Sequence, residues 1–313
     1  MSHAVITRRE FIAGTGGVIA GTMLLGPSRL LATTPVPDVS VVRGGTAVAA
    51  TRRAMEILGG MDRYVSSGDT VVVKPNIGWD TRIGLGADTN PDVVKEIIKM
   101  CFEAGAKKVK LFDNPCNEPR RCYQSSGIEE AAKSAGAEVE YMNENRFDMV
   151  DFPQGVRLKS WLVYRDALPG NRDKLINLPV LKHHSLPKTK SGKPGISLGF
   201  KNLMGVMGGN RGQIHKGFEQ NIVDFCSVIK ADLTIVDATG VLRRNGPRGG
   251  RLADVEKMDT IIAGADMVAA DAWGIKTFGY LPDDLDYLVE AYQRGLGQID
   301  LSKVVTVEER LSE

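Results

Sequence analysis

Lysines, histidines and asparagines with no acid among them mark one stretch of this chain. Between Lys174 and Phe218 there is no Asp or Glu, yet Lys174, Lys182, Lys188, Lys190, Lys193, Lys201, Arg211 and Lys216 fall there with His183, His184 and His215. The formal net charge of all 313 residues is only +2, so this stretch is a local positive field balanced elsewhere. Its natural partner is a small anionic ligand. Lysine offers a carboxylate or phosphate a point charge or, once desolvated, an amine for proton abstraction. A neutral imidazole moves protons or ligates metal near neutral pH.

Within the stretch, Lys201-Asn202-Leu203-Met204-Gly205 places a lysine and an asparagine beside a turn with no amphipathic need for either. Side chains alternate along a strand, so Lys182 and His184 share a face and His183 takes the other. His183 is then left to packing or to metal ligation. Outside the stretch, Lys74 and Asn76 follow the apolar run Val71-Val72-Val73, and Asp237 follows Leu233 to Val236. The catalytic candidates are therefore Lys74, Lys182, His184, Lys201, His215 and Asp237. Asn76, Asn202, Arg211 and Arg248 are candidates for holding substrate, the two arginines lying in Gly-rich pieces whose backbone N–H groups suit an anion. Neither piece is a phosphate-binding P-loop or a dinucleotide fingerprint.

These residues need a scaffold that brings strand ends together. Val39 to Val42, Thr70 to Lys74, Val109 to Phe112, Leu175 to Leu181 and Leu233 to Val236 read as strands. Ala47 to Leu58, the segment opened by Asn90-Pro91, and Asn221 to Lys230 read as helices between them. Later come a strand near Ile261, helices over Asp266 to Phe278 and Asp283 to Arg294, and a last strand over Val304 to Val307. That alternation predicts an α/β fold, a mostly parallel sheet of βαβ units in two related halves, each offering strand–Lys, helix, strand–Asp. The halves are lobes 38–142 and 170–280 of one domain over 38–313. A small β-rich insertion lies between them, with β-like runs at Met149 to Phe152 and Trp161 to Tyr164. Lys74, Asp113, Lys182 and Asp237 all fall at carboxyl ends of strands, where open parallel sheets bind ligands.

A hydrophobic content of 42% with 25% charged residues excludes disordered and fibrous classes. The basic residues sit among Gly, Pro and Leu instead of forming an aromatic-interleaved stripe, which argues against nucleic acid. Thr7-Arg8-Arg9-Glu10-Phe11-Ile12 precedes a Gly-rich apolar run from Ile12 to Leu25, the pattern of a twin-arginine export signal over 1–32, followed by a linker over 33–37. The run is too short for a membrane span, so no permanent span is expected after cleavage. The partners are the twin-arginine translocation machinery and the anion, and the destination is the periplasm or cell envelope. Proteins on that route are exported folded, often with a metal or redox cofactor already loaded.

Cys101 and Cys226 fall on apolar helix faces and read as small buried hydrophobes. Cys116 and Cys122 lie in a polar loop after Asp113. They are open to a disulfide, to metal or cluster ligation with His183, His184 or His215, or to remaining free thiols.

Val73-Lys74-Pro75-Asn76, Pro179-Val180-Leu181-Lys182-His183-His184, Lys201-Asn202-Leu203-Met204-Gly205, His215 and Leu233-Thr234-Ile235-Val236-Asp237-Ala238 together resemble the domain-of-unknown-function family 362. Gly246-Pro247-Arg248-Gly249-Gly250 and Ile262-Ala263-Gly264-Ala265-Asp266 through Asp271-Ala272 extend the resemblance over most of the chain after the linker. The resemblance implies no established activity. Some relatives carry an appended ferredoxin-like module with cysteines for iron–sulfur clusters. This chain has no C-x₂-C, which leaves either a metal ion or a cluster with a different ligand set. The expectation is an exported α/β enzyme acting on a small anion with a metal or redox cofactor. The alternatives are a periplasmic anion- or metal-binding protein without turnover, and a scaffold subunit of a redox complex.

Overall fold

Strand residues that alternate between two apolar cores build the centre of the molecule. In the computed structural model, which describes residues 36–186, 189 and 192–312, Val71 and Val73 enter one core while Val72, between them, enters the other. Successive side chains point to opposite faces of a sheet, so central strands such as β2 bury both of their faces. The expected export signal over 1–32 lies outside the described residues, as do 33–35 of the linker and Lys188 and Lys190 of the basic stretch.

The strands are β1 (Val39–Arg43), β2 (Thr70–Pro75), β3 (Lys108–Leu111), β4 (Glu138–Val139), β5 (Phe147–Asp151), β6 (Ser160–Tyr164), β7 (Lys174–Leu178), β8 (Val180–His184), β9 (Gly195–Ser197), β10 (Leu233–Leu242), β11 (Val255–Gly264) and β12 (Thr306–Arg310). The helices are α1 (Ala47–Ile57), α2 (Pro91–Glu103), α3 (Pro119–Ser125), α4 (Ile128–Ser134), α5 (Gly199–Asn202), α6 (Phe218–Val228), α7 (Met267–Thr277) and α8 (Asp286–Gln293). The main sheet runs β12-β1-β11-β10-β7-β2-β3-β4. β10, β7, β2, β3 and β4 pair in parallel, as do β1 and β12. Residues from α1 and α2 fill the core on one face; residues from α5, α6, α7 and α8 fill the other. The fold is the mostly parallel α/β class that the alternation predicts. β5 and β6 form the small separate antiparallel sheet expected between the halves.

Three elements differ from the expected pattern, each for a local reason. The strand read as Leu175 to Leu181 is two, β7 and β8, divided at Pro179, which has no N–H for the ladder. The Pro179 carbonyl still accepts from Asp237 N–H at 2.8 Å, and β8 continues beside β10 while pairing antiparallel with β9. β11 is antiparallel to β10, because the 243–254 connection holds only a short 3-10 turn and no crossover helix. The loop after Asp113 contains α3, whose Pro119 sits at the first turn and whose Glu118 carboxylate accepts from Arg120 and Arg121 N–H.

The β5–β6 hairpin braces the segment that follows α5. Trp161 Nε1 donates to Gly208 O at 3.0 Å, and Gly208 N–H donates to Leu162 O at 2.9 Å. The hairpin is itself clamped by Asp224 of α6, whose buried carboxylate accepts from Val156, Arg157 and Leu158 N–H at 2.8 Å and pairs with Arg294 at 2.6 Å. Burial pushes this carboxyl up, but the three N–H groups and Arg294 outweigh it and hold its pKa below the usual value. The clamp's contribution is thus present at neutral pH and lost as pH falls through the lowered pKa. Asp224→Ala, which strands three backbone donors and an arginine, is expected to cost about 3 kcal/mol in urea-unfolding equilibria.

Candidate functional site

The carboxyl ends of β2, β3 and β8 and the single turn of α5 meet at one edge of the sheet. Between them lies a cleft of about 430 Å³ lined by Lys74, Asn76, Cys116, Lys182, His184, Lys201, Asn202, Arg211 and His215, among others. The structure therefore brings together most of the residues expected from sequence.

Its floor is a chain of hydrogen bonds with few loose ends. Lys74 is fully buried; its ammonium pairs with Asp113 at 2.8 Å and donates to Pro75 O at 2.7 Å and Asn202 Oδ1 at 3.0 Å. Asp113 also accepts from Ile77 N–H at 2.6 Å and Asn114 N–H at 2.9 Å. Asn202 Oδ1 accepts in turn from Asn76 Nδ2 at 2.9 Å, and Asn76 Oδ1 accepts from Lys182 Nζ at 2.8 Å. The Lys182 ammonium donates as well to Ala87 O. Asn202 Nδ2 reaches back to Lys74 O and to Asn177 Oδ1, locking α5 to β2 and β7. Burial lowers the pKa of Lys74 against the pull of Asp113, and lowers that of Lys182 to about 8 against the pull of Asp88.

Lys201 has a different environment. It is only 8% exposed, yet its Nζ lies 4.6 Å from the centre of the Phe218 ring and 3.9 Å from Met204 Sδ, with no oxygen acceptor in reach among the described residues. Burial pushes its pKa down to about 7, with Lys182 and Arg211 adding to the fall and Cys116 opposing it. Two imidazoles share the cleft. His184 Nδ1 accepts from Leu186 N–H at 3.0 Å, which assigns the ring proton to Nε2. His215 stacks on Phe218, and its buried Nδ1 has no partner. Burial and the neighbouring lysines hold both rings neutral, pushing His184 down to about 2 and His215 to about 4.

Arg211 donates to Met204 O at 3.3 Å and Pro115 O at 3.0 Å. Lys182, Lys201 and Arg211 thus bring cationic side chains to the cleft, and among the described residues none forms an ion pair. Such a site suits an anion, with neutral bases beside it.

Four expected site residues lie elsewhere. Asp237 is buried at a second cavity of about 230 Å³, where its carboxylate accepts from Asn90 N–H at 2.7 Å and from the Thr239 N–H and hydroxyl. Those bonds fasten α2 to β10, and the carboxylate does not line the cleft. Arg248 is exposed and does not line the cleft. His183 faces away, as strand alternation requires, and its Nδ1 accepts from Gly246 N–H at 3.1 Å. Cys122 is fully buried in α3, its thiol pushed up to about 12 by burial, while Cys116 is exposed at the cleft. Both are free thiols. The ligand set of Cys116, Cys122 and His183 therefore does not assemble, and among the described residues no three His, Cys, Asp or Glu side chains converge to hold a metal ion.

Two supporting residues were missed. Asn177 lies within the apolar run of β7, and a buried amide in such a run signals a required hydrogen bond. Asp271 of α7 reaches across the core to accept from Gly199 and Phe200 N–H at 2.8 and 3.1 Å, capping the turn that carries Lys201.

Gly205 lies against the ion pair so closely that a Cβ there would overlap the Asp113 carboxylate and the Lys74 ammonium. Gly205→Ala is expected to force the pair apart and cost about 2 kcal/mol, read from the urea midpoint. Lys201 gives a pH test. Between about 7 and its ordinary 10.5 the unfolded chain holds a proton that the folded chain lacks, so stability rises with pH across that window. Lys201→Met should flatten the rise in urea midpoints measured on either side of it, leaving the part due to Lys74 and Lys182.

Residues 71–276 match the family model described as a domain of unknown function, DUF362. A thylakoid-associated protein of Synechocystis sp. is 28% identical over an alignment of 250 residues that covers 75% of this chain and 73% of that protein. The lactate racemase apoprotein from Thermoanaerobacterium thermosaccharolyticum shares 14% identity and a TM-score of 0.42, the match covering 76% of this chain and 56% of that structure. Every cleft residue lies within 71–276. The chain belongs to the DUF362 family, and its lysine-rich cleft is built from the part of the sequence that defines that family.

Proposed function

We propose that this chain is an exported α/β protein of the cell envelope that captures a small carboxylate or phosphate in the cleft and catalyses proton transfer on it. The observation that carries the reading is Lys201, a buried amine with apolar walls and no oxygen partner, set beside two neutral imidazoles. Lys182 and Arg211 supply the charge that holds the anion; His215 Nδ1 and the Lys201 amine are the bases nearest to it. The unassembled cysteine and histidine set offers no support for a metal or iron–sulfur centre at Cys116, Cys122 and His183, and no step is assigned to one.

Small carboxylates, phosphate and sulfate, screened by thermal shift, should include at least one that raises the melting temperature. Affinity for that anion should fall as pH rises through about 7, where Lys201 loses its proton. Arg211→Gln should weaken it by about tenfold, the loss of one charge-assisted contact. No shift with any anion would overturn the cleft. A bound anion recovered unchanged under all conditions would turn the reading to a binding protein without turnover.

The Arg8-Arg9 pattern supports export, and the thylakoid-associated relative supports a place at or near a membrane. Among the described residues no helix is long and apolar enough to cross one. Arg8→Lys combined with Arg9→Lys should leave the protein in the cytoplasm on fractionation. Unchanged export would exclude the twin-arginine route.

A further inference from the structure

We propose that Lys201 is a carbonyl-capturing amine, and that the ligand is a small oxo-carboxylate which it binds as an imine. The proposal deepens the anion-site reading and rests on it. It starts from the contrast among the three lysines of the cleft. Lys74 is surrounded by the Asp113 carboxylate, a carbonyl and an amide oxygen, and Lys182 by an amide oxygen and a carbonyl. Oxygen acceptors stabilise an ammonium, so these two are held toward the cation against the pull of burial. Lys201 faces a phenylalanine ring and a thioether instead. Apolar walls favour the neutral amine, the form with a lone pair for attack.

The amine is also held in place. Lys201 sits on a one-turn helix pinned by Asp271 at its start and by Asn202 at its end. Lys182 has three N–H donors and uses two; Arg211 has five and uses two for carbonyls. Both retain donors for a carboxylate. The same ligand thus needs an anionic end for Lys182 and Arg211 and an electrophilic carbon for Lys201.

The step balances without an oxidant or reductant. The amine lone pair attacks the carbonyl carbon, a C–N bond forms, and the oxygen takes a proton to give a carbinolamine. Nitrogen then loses a proton, the hydroxyl takes one and leaves as water, and the C=N bond forms. His184 and His215, both neutral and both lining the cleft, are placed to relay these protons. Hydrolysis reverses the sequence.

The test uses the full chain with pyruvate and sodium cyanoborohydride, followed by peptide mass spectrometry. The expected result is a reduced adduct on the peptide containing Lys201, suppressed by excess isobutyrate, a carboxylate of similar size without a carbonyl. Pyruvate should raise the melting temperature more than isobutyrate does, and Lys201→Arg should abolish both the adduct and that difference. Adducts confined to surface lysines, or an adduct at Lys201 indifferent to isobutyrate, would overturn the proposal. Equal stabilisation by both acids with no adduct would overturn the imine and leave the anion cleft standing. No stabilisation by either, together with no shift from any other anion, would remove both.

Discussion

A buried ion pair, Lys74 with Asp113, is the interaction on which the cleft depends. Taking two charges out of water costs several kcal/mol per ion and is offset only where geometry and further hydrogen bonds are good. Here the ammonium has two more oxygen acceptors and the carboxylate two backbone donors. The pair joins the ends of β2 and β3, and through Asn202 it joins both to α5. Gly205 closes over it at a distance no larger residue permits, and its carbonyl accepts from Asn114 N–H at 2.9 Å. Removing either partner would leave the other as an uncompensated charge below the cleft.

With that floor satisfied, the proposed chemistry is left to the groups that are not. Among the described residues, Lys201 lacks an oxygen acceptor and His215 Nδ1 lacks any partner, while Lys182 and Arg211 lack an ion-paired acid. Unmet bonding capacity inside an otherwise saturated network is the physical mark of a place meant for something else. The acid-free stretch seen in the sequence is therefore only partly a charge effect. Absence of Asp and Glu from that stretch leaves Lys182, Lys201 and Arg211 unpaired by it, with Asp113 already taken by Lys74, but contact with Phe218 and Met204 makes one of the lysines unlike the others.

The sheet and much of the cleft were legible because they rest on short-range rules. Apolar runs ending in Lys74 and Lys182 become strands, and period-two alternation separates His184 from His183. What was not legible depends on distant pairing. Asp237 reads like Asp113, since both close an apolar strand; only the approach of Asn90 N–H, with the Thr239 N–H and hydroxyl, consumes its carboxylate. The cysteine pair fails for a similar reason, because Pro119 and Glu118 start a helix that turns Cys122 into the core and leaves Cys116 outside. Asp271 acts on α5 across 72 positions of chain, a distance no local pattern encodes.

That last contact has a consequence for the order in which the molecule is completed. A four-residue helix has no stability of its own, since nucleating one turn fixes more dihedral angles than it returns in hydrogen bonds. α5 is helical because α7 arrives from one side to receive its first N–H groups and the sheet holds Asn202 from the other. Its lysine therefore reaches its final setting only after late-synthesised chain has packed. The Lys201 turn is thus a finishing piece of the cleft, set in place by a helix that lies far along the chain from it.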